Sequence, residues 1–320
     1  MAKDSQPSKV TKRTYTLYLI RHGEAHHNVH EKRAQKKALK AVIADGIAPD
    51  SVEAKRRIEL ARQQVLLDQS FFDASLSEKG NREAVAVRHV IHQWTTPAKN
   101  DKKNKHEPAP APFPPLPPPT RVLVSPLQRT LQTAELVFPH HPNVHVREEL
   151  RERLTGRPAD NRMASHVSAQ RFNRFSFLKL RQNSIVNTMK TMLPFLADKD
   201  DDSDDNDGDE KDSTPPPVAV ASHPTAPLHQ HSSFNSDCSV EDEAQLRQRT
   251  LKLLELLRQD ADNTVAVVTH KGFLRGLERG PFGQPDAAEF SNGQCKVYRV
   301  TTVLDNHTNH TTVEDIERLR

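Results

Sequence analysis

Cysteine, aromatic residues and long apolar runs are all scarce in this sequence. Two cysteines, Cys238 and Cys295, in 320 residues exclude a small fold held together by several disulfides, and they are typical of a reduced, cytoplasmic protein. No apolar run approaches the length that a membrane-spanning helix needs, and the N-terminal residues lack the apolar core of a signal peptide. The sequence therefore predicts a cytoplasmic protein that makes no membrane contact.

The composition indicates that part of the chain lies outside any folded core. Apolar residues make up 35%, aromatic residues 5%, and the mean hydropathy is −0.74. The net charge is +4, because 46 basic residues are nearly balanced by 42 acidic ones. This balance is too even to predict nucleic-acid binding, but a mildly positive field suits a small anionic substrate.

Three segments have the composition of insertions into a single domain spanning residues 14–305. Residues 30–69 are charged and alanine-rich and predict a helical insert. Residues 97–120 are rich in lysine and proline, residues 198–237 are acidic and then rich in proline, serine and histidine, and both are predicted to be disordered. Flexible tails are predicted at 1–13 and 306–320. The PxxP spacings in "PAPFPPLPPPT" could dock an SH3-type partner, although a spacer is the preferred interpretation.

Outside these segments the pattern alternates between strand and helix. Short apolar runs predict strands at 15–20, 121–125, 143–150, 264–270 and 294–304. Helices are predicted from Ser77 to Trp94, from Pro126 to Val137, and onward from Ser239 or Asp242. Alternation of this kind predicts an α/β fold with a mostly parallel sheet.

Three of the predicted strands end in reactive side chains. "LYLIRHGEAHHN" ends its apolar run in Arg21 and His22, "VSPLQRTLQT" contributes Arg129, and "VVTHKGFLRGL" contributes His270. Ligands of such sheets bind beyond the carboxyl ends of the strands. Arginine presents a fork of donors that fits phosphate oxygens, and neutral imidazole is a competent nucleophile. The sequence therefore predicts phosphoryl transfer through a phosphohistidine.

These motifs, together with "FFDASLSEKGNREA" and "LRERLTG", occur in the order seen in the histidine phosphatase superfamily, the phosphoglycerate mutase-like proteins. The resemblance covers roughly residues 15–30, 70–95, 120–165 and 240–300, and the three inserts lie outside it. It implies a three-layer αβα sandwich around a mostly parallel central sheet. It also implies chemistry that requires no metal and no cofactor.

The resemblance also implies roles for individual residues. His22 would be the nucleophile, Arg21, Arg129 and His270 would hold the phosphoryl oxygens, and Glu152 would be the general acid, with Glu149 as the fallback. The resemblance implies phosphate contacts at Asn28 and at the Gly272 N–H, and it gives Glu24 a place beside the substrate or in fixing the nucleophile and the strand-end turn. Gly23 is also counted as a substrate-binding position. Arg157 follows the general acid and is expected either to contact the non-reacting part of the substrate or to lie in a solvated loop. His26 and His27 are interpreted as residues at the rim of the crevice.

The expected activity is hydrolysis of a phosphomonoester, carried by a small molecule or a phosphoprotein. A phosphoglycerate mutase is the alternative enzyme, but such mutases usually carry a tyrosine in the segment that corresponds to "RERLTGRPADNR". A non-catalytic scaffold that binds phosphorylated ligands is the third hypothesis.

Overall fold

The computed structural model describes residues 10–97, 114–178, 180 and 240–320. These residues belong to one of two units of the chain, and the other unit is Gln182–Asp237. The predicted insert at 198–237 and Cys238 therefore lie outside the described residues, and so does most of the insert at 97–120. No helix in the described ranges is long and apolar enough to cross a membrane.

The described residues form a six-stranded sheet in the order β3-β2-β4-β1-β5-β6. Its strands are β1 (Val10–Arg21), β2 (Arg121–Val124), β3 (Val144–Val146), β4 (Thr264–Thr269), β5 (Cys295–Asp305) and β6 (His310–Arg318). The first four strands are mutually parallel, and β5 and β6 are antiparallel to their neighbours. The prediction of an α/β fold with a mostly parallel sheet is confirmed.

Helices cover both faces of this sheet. They are α1 (His26–Ala44), α2 (Val52–Leu66), α3 (Glu78–Thr95), α4 (Gln128–Val137), α5 (Ser165–Arg171), α6 (Glu243–Arg258) and α7 (Lys271–Arg279). On one face Tyr18 and Ile20 of β1 pack with α3 and α4. On the other face Leu17 and Leu19 pack with α6 and α7. Side chains alternate along a strand, so a strand covered on both faces reads as one continuous apolar run.

Several helices begin where their sequence signals predict. Ser77 caps α3 by accepting a hydrogen bond from the Gly80 backbone N–H, at 3.1 Å. Asp242 caps α6 in a capping box with Gln245. The predicted helical insert is present as α1 and α2, but α1 begins at His26, directly after the Arg-His-Gly motif.

Other boundaries were predicted wrongly. The strand predicted at 143–150 covers only Val144–Val146 and is followed by a 3-10 helix, Glu148–Leu150. The helix predicted from Pro126 begins two residues later, at Gln128. Both shifts shorten a regular element beside a polar loop, which frees the loop to enter the crevice described below.

Both predicted tails contain strand. Residues 10–13 belong to β1, and most of 306–320 forms β6, an edge strand in which β-branched residues are mixed with charged ones. The end of the predicted disordered insert, 114–120, also packs against the core. Tyr18 donates a hydrogen bond to the Pro117 carbonyl at 2.7 Å, and the Leu116 N–H donates to the Trp94 carbonyl at 2.8 Å.

Candidate active site

The ends of β1 and β4 bring two histidines together. The strands pair in parallel with Arg21 opposite Thr269, and the His22 N–H donates to the Thr269 carbonyl at 3.0 Å. His22 and His270 therefore follow adjacent strand ends, with ring centroids 5.1 Å apart and planes inclined by 59°. A separation of this size lets both rings contact one phosphoryl group.

His22 is buried and held in one orientation. Its Nδ1 lies 2.7 Å from the carbonyl oxygen of Gly23, which places the ring proton on Nδ1 and leaves Nε2 with a free lone pair. Burial lowers the pKa of His22 well below its usual value, and the charges of Arg129 and Arg21 lower it further. The imidazole is therefore neutral at neutral pH, the state that a nucleophile requires.

His270 is fully buried beside Ser125, which follows β2. Its Nε2 lies 2.7 Å from the Ser125 hydroxyl, whereas its buried Nδ1 has no hydrogen-bond partner among the described residues. Burial lowers the pKa of His270 well below its usual value, and the charges of Arg129 and His22 act in the same direction.

Two arginines lie against this pair of histidines, and each is anchored through its terminal nitrogens. Arg21 donates from Nη1 to the Phe290 carbonyl at 2.7 Å. Arg129 is buried in the first turn of α4, donates to the Ala159 carbonyl at 2.5 Å and lies 3.3 Å from Asp160 Oδ1. The Nε of each arginine is buried and has no partner in the described part of the chain. Buried donors without partners are rare in folded proteins, and an anion would satisfy them.

Glu152 reaches the same crevice from the loop that follows the 3-10 helix Glu148–Leu150. Burial raises the pKa of Glu152 above its usual value, and the negative charge of Asp160 raises it further, while the charge of Arg129 opposes both. Its Oε1 accepts a hydrogen bond from the Arg153 N–H at 2.9 Å. Glu149, the fallback candidate, instead lies near Arg147, where its charge opposes the effect of burial on that guanidinium's pKa.

Gly23 and Glu24 make contacts within the protein, and a substrate contact at either stays a prediction. Gly23 donates its N–H to Thr133 Oγ1 at 3.2 Å, and an added Cβ would lie 2.3 Å from the Gly80 carbonyl oxygen. Close packing against α3 thus requires a glycine at position 23, and the Gly23 N–H is already bound to Thr133. Glu24 was implied to bind substrate, but its carboxylate accepts a hydrogen bond from Lys32 at 2.6 Å. Although burial raises the pKa of Glu24, this contact and the nearby Lys79 lower it overall.

Three other implied positions border the crevice. Asn28 uses its Oδ1 to accept the Ala25 N–H at 3.1 Å, which caps α1 and leaves the amide nitrogen as a donor. Gly272 lies in the first turn of α7, where an added Cβ would come within 2.3 Å of Glu152 Oε1. Arg157 is partly exposed, and its charge acts on the neighbouring His27. A substrate contact at each of the three stays a prediction.

His27 is buried in the crevice, not at its rim as predicted. Burial, reinforced by the charges of Arg129, Arg21 and Arg157, lowers the pKa of His27 to about 3, and its Nδ1 has no partner among the described residues. The position of His27 follows from the start of α1. Because α1 begins directly after the Arg-His-Gly motif, its first turn lies close to the end of β1. His26, by contrast, is exposed.

The described residues contain no group of three histidine, cysteine, aspartate or glutamate side chains that could hold a metal ion. The donors around the two histidines are instead guanidinium and imidazole nitrogens, which suit an anion. The arrangement combines a neutral imidazole with a free lone pair, two fixed cations and a carboxyl group with a raised pKa.

Comparison with solved structures gives neighbours of low identity and low TM-score. A mycobacterial glucosyl-3-phosphoglycerate phosphatase is 15% identical over 94% of this chain and 98% of its own, with a TM-score of 0.40. A phosphoserine phosphatase from Entamoeba histolytica is 14% identical over 94% and 96%, at 0.36. A phosphoglycerate mutase from Bacillus anthracis is 14% identical over 95% and 93%, at 0.40. Likenesses at this level carry no information on the substrate of this chain.

Comparison of the sequence with protein families is more direct. A search of the curated proteins gives no match. Residues 116–183, which include Arg129 and Glu152, match the model of the histidine phosphatase superfamily, branch 1. This match, over 68 of the 320 residues, supports the resemblance that the motifs predict.

Proposed function

We propose that this protein is a phosphomonoester hydrolase that works through a phosphohistidine on His22. The observation that carries the proposal is a set of buried nitrogens on the residues around His22: Arg21 Nε, Arg129 Nε and His270 Nδ1 all lack partners among the described residues. The charges of Arg21 and Arg129 act on the His22 imidazole, and the His270 ring lies 5.1 Å from it, centroid to centroid. A phosphoryl group would accept hydrogen bonds from the set and present its phosphorus to His22 Nε2.

In the first step, the His22 Nε2 lone pair attacks phosphorus and forms an N–P bond while the P–O bond to the leaving group breaks. Glu152 donates its proton to the departing oxygen, and burial, which raises the pKa of Glu152, favours the protonated form that this step needs. Charge develops on the phosphoryl oxygens in the transition state, and fixed cationic donors stabilise it without reorganising.

In the second step, the ionised Glu152 takes a proton from water, and the water oxygen attacks phosphorus. The electrons of the N–P bond return to Nε2, which restores the neutral imidazole and releases inorganic phosphate. The substrate class is a phosphorylated small molecule or a phosphoprotein, and the contact predicted for Arg157 would lie on its non-reacting part.

Trapping the intermediate tests this proposal. Wild-type protein incubated with a ³²P-labelled phosphomonoester and quenched in alkali should retain label that acid removes, as expected for phosphohistidine. His22→Ala should retain none, whereas His26→Ala, which removes an exposed imidazole from the same segment, should label normally. A wild type that never labels across a broad substrate panel would favour the non-catalytic scaffold.

A phosphoglycerate mutase would share the first step but return the phosphoryl group to another hydroxyl of the substrate. Incubation with 3-phosphoglycerate separates the two enzymes. The hydrolase releases inorganic phosphate, whereas the mutase forms 2-phosphoglycerate and releases little phosphate. Accumulation of 2-phosphoglycerate would overturn the assignment of water as acceptor and leave His22 as the nucleophile.

A further inference from the structure

The carboxylate of Glu152 has little to hold it in place. Its one side-chain hydrogen bond is to the N–H of the next residue, Arg153, and no cation pairs with it in the described ranges of the chain. The position of the general acid must therefore be set by the main chain of its loop. β3 has already ended at Val146, and the contact of this loop with a strand is the hydrogen bond that Thr269 Oγ1 of β4 donates to the Leu150 carbonyl at 2.7 Å.

One guanidinium on α6 makes several of the hydrogen bonds that hold the loop main chain. Arg249 donates to the Glu149 carbonyl at 3.0 Å, to the Arg151 carbonyl at 2.6 Å and to the Glu152 carbonyl at 3.3 Å. Three carbonyls of one short loop thus point at one side chain. The planar fork of arginine can serve several acceptors at once, which a lysine ammonium does less well.

Glu241 holds Arg249 in this orientation. Its carboxylate is buried and accepts two hydrogen bonds, from Arg249 Nε at 2.7 Å and from Arg249 Nη2 at 2.6 Å. Glu241 also pairs with the far side of the loop. It accepts the Leu154 N–H at 3.2 Å through Oε2, and its own N–H donates to the Leu154 carbonyl at 2.8 Å.

The same guanidinium connects the loop to the helix of the second histidine. Arg249 lies over the ring of Phe273, 5.5 Å from its centroid, and Phe273 is buried in α7, the helix that begins directly after His270. Gly272 of that helix is the residue against which Glu152 Oε1 rests. Arg249 therefore contacts both segments that surround the Glu152 carboxyl group, the loop 149–154 and helix α7.

We propose that Arg249 and Glu241 are positioning residues for the general acid: they clamp the loop 149–154 so that the Glu152 carboxyl group meets the leaving oxygen. This inference rests on the proposed function of Glu152. Neither side chain reaches the phosphoryl group in this role, so binding of the phosphate and attack by His22 do not depend on them.

Leaving-group dependence gives a test that a merely structural role would not satisfy. p-Nitrophenolate departs without help from an acid, whereas phenolate is much more basic and needs a proton. Arg249→Met should lower kcat/KM for phenyl phosphate about 30-fold but for p-nitrophenyl phosphate less than about 3-fold, because a general acid is worth roughly 10²–10⁴ in rate. Activity on p-nitrophenyl phosphate also reports that the variant is folded.

Matched variants sharpen the comparison. Arg247→Met removes an exposed arginine from the same helix and should leave both rates unchanged. Arg249→Lys should recover only part of the phenyl phosphate activity. Glu241→Gln keeps the shape of the clamp and should show the same selective loss, and it carries the test if Arg249→Met does not fold.

Two results would overturn the inference. One is an equal loss on both substrates in Arg249→Met and Glu241→Gln, and the other is no loss on either. A wild type that hydrolyses neither ester and does not label on His22 overturns the proposed function itself, and the inference with it. A wild type that labels normally while the variants show no selectivity overturns the clamp alone.

Discussion

The Oε1 oxygen of Glu152 rests against the Cα of Gly272, so that a Cβ added at this glycine would lie only 2.3 Å from it. The Glu152 carboxylate, the proposed general acid, and the helix after His270 therefore share one narrow space. Gly272→Ala should push the carboxylate away and lower kcat/KM for phenyl phosphate about 10-fold or more, with a smaller effect on p-nitrophenyl phosphate.

Steady-state rates on the two esters check this expectation. Gly276→Ala is the matched control, because its Cβ would meet only the Leu246 and Thr250 side chains, at 3.2 to 3.4 Å. Equal rates for Gly272→Ala and wild type on phenyl phosphate would contradict it.

A second close approach joins helix α3 to the segment that follows His22. A Cβ at Gly80, in the first turn of α3, would lie 2.0 Å from the Glu24 carbonyl oxygen, which is backbone and cannot move aside. Gly80→Ala should lower the free energy of unfolding by about 3 kcal/mol, in the range of strongly strained substitutions. Urea unfolding measures it, and a change below about 0.5 kcal/mol would refute the packing argument.

Three buried histidines should make the fold acid-sensitive. The pKa values of His22, His27 and His270 are all lowered, so the unfolded chain binds protons near pH 6.5 whereas the folded protein does not. The free energy of unfolding therefore falls as pH falls below about 6.5, and His27 contributes about 2 kcal/mol of this loss between pH 7 and pH 5.

Urea titrations of wild type and His27→Gln at the two pH values isolate one member of this set. The variant should lose about 2 kcal/mol less than wild type over the interval. His307→Gln, at an exposed position, should match the wild-type loss. An unchanged loss in His27→Gln would contradict the lowered pKa of His27.

Glu152 should change the stability of the fold with the opposite dependence on pH, because its pKa is raised. The folded state prefers the protonated carboxyl group, so its ionisation destabilises the fold above pH 4.5, the usual value, and has no effect below it. Glu152→Gln should therefore raise the free energy of unfolding at pH 7 and leave it almost unchanged at pH 4. Thermal melts of this variant and of Glu255→Gln, at an exposed position on α6, compare the two.

The parts of the fold that the sequence predicted are those set by local pattern. The continuous apolar runs of β1 and β4 require cover on both faces, and Ser77 and Asp242 are helix caps whose effect extends over a single turn. β6 was missed because an edge strand needs only a weak alternation, and its charged residues resemble those of a tail.

Of the candidate site, only the residues that follow predicted strands could be placed from the sequence. His22, Arg129 and His270 follow buried strands, so their convergence could be inferred from the chain alone. The burial of His27 depends on where α1 begins, and the clamp joins Arg249 to carbonyls about 100 residues earlier. Contacts of that kind leave no periodic trace, and only the folded chain reveals them.

The crevice has one rigid wall and one adjustable wall. β1 is paired with β4 from Thr16 to Arg21 and with β5 from Val10 to Ile20, so the strand that presents His22 is locked along its whole length. The opposite wall is loop. Laboratory evolution towards new phosphate esters should therefore spare that strand and the clamped loop 149–154, and it should accumulate its beneficial changes at 155–160, where a backbone shift can reshape the mouth without disturbing His22.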